Sequence, residues 1–206
     1  MKSTFQSLTR YPVALQELLV GVVLFGAVSI QAQNLLQNGD FEQPLGPTNW
    51  TVVYPYGGPG DMSIVDRTTF SARNYGSGFG GHIRSVHDGN CEVYLSQTVS
   101  NLAPGNYTLS GYMKYWEYTF ELNDKFDVYF EAVGGQGTNK SPNITAMDDA
   151  NLKTNSDYHL YSVTNTPDAN GRIEVRLRMN QRTTTCCDKL YYKNAMWDDM
   201  SLTLTP

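Results

Sequence analysis

The sequence predicts an all-β protein, an antiparallel β-sandwich of the jelly-roll kind preceded by an N-terminal apolar signal segment. Three observations carry this. After Gln33 the apolar residues come in short alternating runs of strand length. Gly, Pro, Asn and Asp interrupt those runs at close intervals, and no amphipathic helical period appears. The long apolar run of the chain is confined to Leu18–Ile30, ahead of the alternating region.

The N-terminal segment reads as an address. Lys2 and Arg10 lie among polar residues, and Leu18 to Ile30 follow without a charge, as in the apolar core of a secretion signal. That run of thirteen residues is short of the roughly 20 a helix needs to cross a bilayer, so no stable membrane span is expected. Ile30-Gln31-Ala32-Gln33 offers a small residue for cleavage, placing a signal peptide at 1–32 and one β-sandwich domain at 33–206. The expected location is therefore extracellular, secreted or at the cell surface. Leu15-Gln16-Glu17-Leu18-Leu19-Val20 resembles the start of a type IV prepilin. It lacks a Gly-Phe processing pair, and its helix would stop at about Ile30. Retention of that segment would favour assembly.

Along the domain, Asn34–Leu36 is expected to be a strand that meets the turn Asn38-Gly39-Asp40. Further strands are expected over Trp50–Tyr54, His82–Val86 and Val93–Val99. Between the first two, the Gly-rich Tyr75–Gly81 lacks the preceding strand and following helix of a phosphate-cradling loop. Leu102-Ala103-Pro104-Gly105-Asn106 is a tight turn.

The clearest pair is Tyr107–Trp116 and Phe126–Val133, joined by the polar Glu117–Lys125. Alternation puts Tyr107, Leu109, Gly111, Met113 and Tyr115 on one face, the core, and Thr108, Ser110, Tyr112, Lys114 and Trp116 on the other. Gly134–Asn155 is polar and expected to be a loop. Tyr158–Thr164, Gly171–Met179 and Ala195–Leu204 complete the strands. In Gly171–Met179 the residues Ile173, Val175, Leu177 and Met179 are expected inward, with Arg172, Glu174, Arg176 and Arg178 outward.

The net charge of -5, with charged residues at 17% and no basic stripe, excludes a nucleic-acid partner, which would need cations along a phosphate track. Of the three cysteines, Cys91, Cys186 and Cys187, one stays odd after any single bridge. Adjacent Cys186 and Cys187 would strain the peptide between them, so the expected disulfide joins Cys91 to one of the two. Their spacing is unlike a zinc site.

The two ends of the domain carry a family resemblance. Asn34-Leu35-Leu36-Gln37-Asn38-Gly39-Asp40-Phe41-Glu42, with Trp50 after it, and the closing Met196-Trp197-Asp198-Asp199-Met200-Ser201-Leu202 resemble those of extracellular carbohydrate-binding modules. Tyr94-Leu95-Ser96-Gln97-Thr98-Val99, Pro104-Gly105 and Tyr107-Thr108-Leu109 are similar to the family's central hairpin. The resemblance is to the galactose-binding-domain-like jelly rolls that accompany xylanases and glucanases. It implies a glycan partner, a polysaccharide or a cell-surface glycan, and no catalysis.

The resemblance also implies adjacent first and last strands and a structural calcium ion where they meet, with Glu42 and Asp198 as ligands and Asn38 and Asp199 as lesser contributors. Calcium takes six to eight hard oxygens, carboxylate and carbonyl mixed, which a turn beside a strand end supplies. Solvated strand-end carboxylates are the plainer account of Glu42 and Asp198.

Sugar rings pack their C–H faces on flat π surfaces, so exposed aromatics are the candidates for ligand binding. Tyr112, Trp116 and Tyr118 lie on or just past the outer face of the best-defined strand, and Tyr54 and Tyr56 lie beside a Pro/Gly-rich loop. Arg176, Arg178 and Lys114 are candidate polar partners. Packing competes for each aromatic, since half-buried strands favour Tyr and Trp on that ground alone.

Two other classes compete. An exported jelly roll with nothing after its closing strand suits a matrix, surface or filament subunit that partners itself in an assembly. Arg172-Ile173-Glu174-Val175-Arg176 and Tyr129-Phe130-Glu131-Ala132-Val133-Gly134 faintly resemble alginate-lyase motifs. Their order is reversed, Glu131 replaces the expected lysine, and no Gln-x-His is present. A glycosidase would need paired carboxylates, for which Asp124, Asp127 and Glu131 are the nearest candidates.

Overall fold

The computed structural model describes residues 33–56, 63–68, 78–85, 91–117, 125–145, 157–182 and 193–206. The signal segment, Tyr118, Cys186 and Cys187 lie outside the described residues, as do the side chains of Tyr56, Cys91 and Trp116.

The described chain contains strands and no helix. The strands are β1 (Thr51–Tyr56), β2 (Ser63–Thr68), β3 (Gly80–Ser85), β4 (Cys91–Val99), β5 (Tyr107–Glu117), β6 (Lys125–Gly134), β7 (Gly137–Lys140), β8 (His159–Asn165), β9 (Ile173–Arg182) and β10 (Lys193–Leu204). They form two five-stranded antiparallel sheets. The first, sheet A, has the order β1-β4-β9-β6-β7; the second, sheet B, has β2-β3-β10-β5-β8.

Period-two alternation explains why these segments form a sandwich, because each strand has one apolar face that must be covered by the other sheet. From sheet A, Val93, Leu95, Val128, Phe130, Ile173, Val175, Leu177 and Met179 point inward and are buried. From sheet B they meet Ile83, Leu109, Met113, Ala195, Trp197 and Leu202 in one cluster. The inward sets expected on β5 and β9 are therefore the observed ones.

The segment 33–50 closes the sandwich without forming a strand. Where a strand was expected at Asn34–Leu36, the side-chain amide of Asn34 takes over part of a ladder's work. It donates to the Met200 carbonyl at 3.0 Å and accepts from Leu202 N–H at 3.1 Å, while Leu35 N–H donates to the Leu202 carbonyl at 2.9 Å. The expected adjacency of the first and last segments thus holds through a side chain and two backbone bonds, Leu35 to Leu202 and Met200 to Gly39. The turn then drops Phe41 into the core, stacked on Trp50 with centroids 5.5 Å apart. Gly81 makes room for it: a Cβ there would lie 2.6 Å from the Phe41 ring.

Two strands escape the sequence pattern, and both are sheet edges. The expected loop over Gly134–Asn155 contains β7, which pairs with β6 through a tight turn ending at Gly137, φ +82°. Its residues Thr138, Asn139 and Lys140 are polar because an edge strand shows most of its surface to water. The same holds for β2, which pairs only with β3.

Candidate functional site

The outer face of sheet A carries a band of aromatic and charged side chains in register. Tyr94 of β4 lies opposite Arg178 of β9, which lies opposite Tyr129 of β6. The next row on the same face is Ser96, Arg176, Glu131 and Lys140, on β4, β9, β6 and β7. Alternation fixes these choices, since the residues between them, such as Leu95, Leu177 and Phe130, are needed in the core.

Guanidinium and ring contacts knit the rows together. The Arg178 Cζ is 5.1 Å from the Tyr94 ring centroid and 5.9 Å from that of Tyr129, and the Arg176 Cζ is 5.3 Å from Tyr94. Lys140 covers Tyr129 at 5.1 Å. Tyr94 is half-buried and Tyr129 buried, so Tyr94 is the more exposed of the two rings.

Glu131 is the anchor of the charge network, only 1% exposed. Its Oε1 accepts from Arg178 Nη1 at 2.7 Å and lies 3.6 Å from Arg176 Nη1. Arg178 also pairs with Glu92, and Arg176 Nη2 donates to Glu174 Oε2 at 2.6 Å. Burial pushes the Glu131 carboxyl above its ordinary range, opposed by the charges of Lys140 and Arg176. Burial also pushes Glu174 up, but hydrogen bonds from Arg176 and Ser96 outweigh it and hold that carboxyl below its ordinary range. Arg178 is lowered by burial.

Four buried polar atoms of this outer face have no hydrogen-bond partner among the described residues: Glu131 Oε2, Arg176 Nε, Arg178 Nε and Asn180 Oδ1. Each orphaned group costs on the order of 1–3 kcal/mol. Two are donors and two are acceptors, clustered around Tyr94 and Tyr129 on strands whose other face is core.

Of the residues singled out from sequence, Arg176 and Arg178 lie at this site. Tyr112 does not: it is on the outer face of sheet B, opposite Asp198 and Leu160. Trp116 is placed on the same strand, opposite Asn194. Tyr54 packs against the core cluster. Lys114 cannot partner Arg176 and Arg178 as neighbouring-strand residues, because β5 and β9 belong to different sheets. Lys114 instead sits over the Tyr158 ring at 4.8 Å, and burial lowers its ammonium, opposed by Asp157.

Tyr94 and Tyr129 were missed as ligand candidates, and Glu131 was named only among the carboxylates a glycosidase would need. Their signal was the alternation in Val93-Tyr94-Leu95 and Val128-Tyr129-Phe130-Glu131-Ala132, the same one that was read on β5.

The four residues named for calcium do not gather as a carboxylate cage. Both polar atoms of the Asn38 side chain are spent on Gln43, accepting from its N–H at 2.7 Å and donating to its carbonyl at 2.8 Å. Glu42 Oε1 accepts from Phe79 N–H at 2.8 Å. Asp198 Oδ1 accepts from Asp199 N–H at 2.8 Å, and Asp199 itself has left-handed backbone, φ 49°. Among the described residues no group of three or more His, Cys, Asp or Glu is placed to hold a metal.

Solved structures place this architecture. The chain is similar to TmCBM61, solved in complex with β-1,4-galactotriose, at 16% identity and TM-score 0.54 over 84% of this chain and 100% of that one. The fold is the β-sandwich of that structure. The same β-sandwich recurs in Cip1, a cellulose-induced protein, at 10% identity and TM-score 0.50 over 81% and 96% of the two chains. It recurs again in the enzymatically active domain of tailspike protein 4 of bacteriophage CBA120, at 13% identity and TM-score 0.51. There it covers 84% of this chain but 21% of the tailspike chain. No protein-family model and no curated protein matches the sequence. The carbohydrate-binding-module fold expected from the two ends of the domain is the fold observed.

Proposed function

We propose that this chain is an exported, non-catalytic glycan-binding sandwich, and that the glycan lies across the outer face of sheet A. The observation that carries it is the half-buried Tyr94 ring set in register beside the guanidiniums of Arg178 and Arg176 on one sheet face. A sugar stacked there presents hydroxyls that donate to the part-exposed carboxylates of Glu92 and Glu174 and accept from the Arg176 and Arg178 guanidiniums. Tyr94 and Tyr129 lie two strand spacings apart in one row, about 9.5 Å, which suits an extended chain running across the strands. Glu92, Glu131 and Glu174 offset the cations of the band, so an uncharged polysaccharide fits better than an acidic one. Export rests on the signal-like segment at 1–32.

The test is retention on a glycan array, followed by affinity electrophoresis in the polysaccharide that scores. Tyr94→Ala is expected to weaken binding at least tenfold, in line with about 1.5 kcal/mol for loss of an aromatic contact, while Tyr112→Ala retains it. The opposite pattern moves the site to the outer face of sheet B, which carries Tyr112. No new reducing ends are expected after incubation with the bound polysaccharide; their appearance would replace binding by hydrolysis or elimination.

A further inference from the structure

We infer that Arg67, and not calcium, is the cation that fastens the first turn of this chain to the sandwich. Arg67 lies on the edge strand β2, opposite Gly81 of β3. Its Nη1 donates to the Phe41 carbonyl at 3.2 Å and to the Glu42 carbonyl at 2.7 Å. Its Cζ sits 3.9 Å from the centroid of the Phe79 ring. The Phe79 N–H in turn donates to Glu42 Oε1 at 2.8 Å. One guanidinium, one aromatic ring and one carboxylate therefore close a loop of contacts between the first turn and the approach to β3.

The geometry of the turn explains why its carbonyls need a cation. Phe41 has left-handed backbone, φ 56°, which breaks the alternation that would send successive carbonyls to opposite sides of a strand. Two consecutive carbonyl oxygens converge on Arg67 instead. Their neighbour, the Phe41 ring, is fixed in the core on Trp50, and Trp50 Nε1 donates to the Asn38 carbonyl at 2.9 Å.

Calcium would want these same oxygens. It takes six to eight, and the turn supplies the carbonyls of Phe41 and Glu42, both accepting from Arg67, and the Glu42 carboxylate, whose Oε1 accepts from Phe79 N–H. A divalent ion on them would sit within contact of a guanidinium of like charge, which repels it. The guanidinium belongs to the chain itself, so the turn is held independently of ambient calcium. The inference stands apart from the glycan site on sheet A and does not depend on it.

Thermal unfolding of the full chain tests it. The midpoint is expected to agree within about 1 °C between excess EDTA and millimolar calcium, since an ion that binds the native state must raise it. Arg67→Met keeps the side-chain length but removes the charge and donors, and is expected to lower the midpoint by about 4–10 °C. Arg67→Lys keeps the charge and is expected to fall less. Chelation that lowers the wild-type midpoint overturns the inference, as does an Arg67→Met chain that melts with the wild type. Should the Met variant fail to fold, an Arg67→Lys chain as stable as the wild type in EDTA still supports it, and one that needs calcium overturns it.

Discussion

Glu131 is a carboxylate that folding buries between two guanidiniums and leaves half satisfied. Its carboxyl is raised from an ordinary value of 4.5, while that of Glu174, one strand away, is lowered from the same value. The two shifts act in opposite directions on stability. Between 4.5 and the raised Glu131 value the folded chain holds more proton than the unfolded one, so stability falls as pH rises through that window. Glu174 contributes stability above 4.5 that is lost as pH falls through its lowered value. Urea midpoints measured from about pH 3 to pH 8 should therefore show two slopes of opposite sign, and Glu131→Gln should flatten only the upper one. An unaltered upper slope in that variant would mean that Glu131 titrates like an exposed glutamate.

At the level of elements, a buried amide ties the two sheets together at one end, beside the bonds from the Asn139 side chain to the Thr164 carbonyl and from Gly135 N–H to the Thr166 carbonyl. Asn165, the last residue of β8 in sheet B, is 1% exposed. Its Nδ2 donates to the Ala132 and Gly137 carbonyls at 2.8 and 2.9 Å, and its Oδ1 accepts from Gln136 N–H at 3.2 Å and Thr166 N–H at 2.8 Å. Three of those partners belong to the β6–β7 hairpin of sheet A. Asn165→Ala would strand several buried backbone groups, at a cost of about 2–4 kcal/mol, read as a lower urea midpoint with unchanged m. Nothing in the sequence marks Asn165, because its partners lie about thirty residues away and include a strand hidden in a polar stretch. The interior strands were legible for the opposite reason: β5 and β9 each need a continuous apolar face, and that need is written as strict alternation. Edge strands such as β2 and β7 carry no such constraint.

For the whole molecule, a ligand held by a preformed face should stabilise the fold by mass action. An oligosaccharide at a hundred times its Kd is expected to add about 2.7 kcal/mol, or roughly 5–10 °C in the unfolding midpoint of a domain this size. The shift should vanish in Tyr94→Ala and persist in Tyr112→Ala. A Tyr94→Ala chain that keeps the full shift would place the sugar elsewhere on the sandwich.

By itself the sequence determined the all-β class and the inward sets of β5 and β9, which are consequences of local alternation. The resemblance of its two ends to a known family implied that they meet at the closing strand. Only the tertiary structure decided which outward faces share a sheet. Strand parity fixes the side on which Tyr112 or Arg178 emerges, but the neighbour of each strand is set by long-range pairing. That pairing sets Arg176 and Arg178 beside Tyr94 and Glu131 and leaves Tyr112 on the opposite face. It also brought Arg67 to the carbonyls of Phe41 and Glu42, a contact across some twenty-five residues that no local pattern encodes.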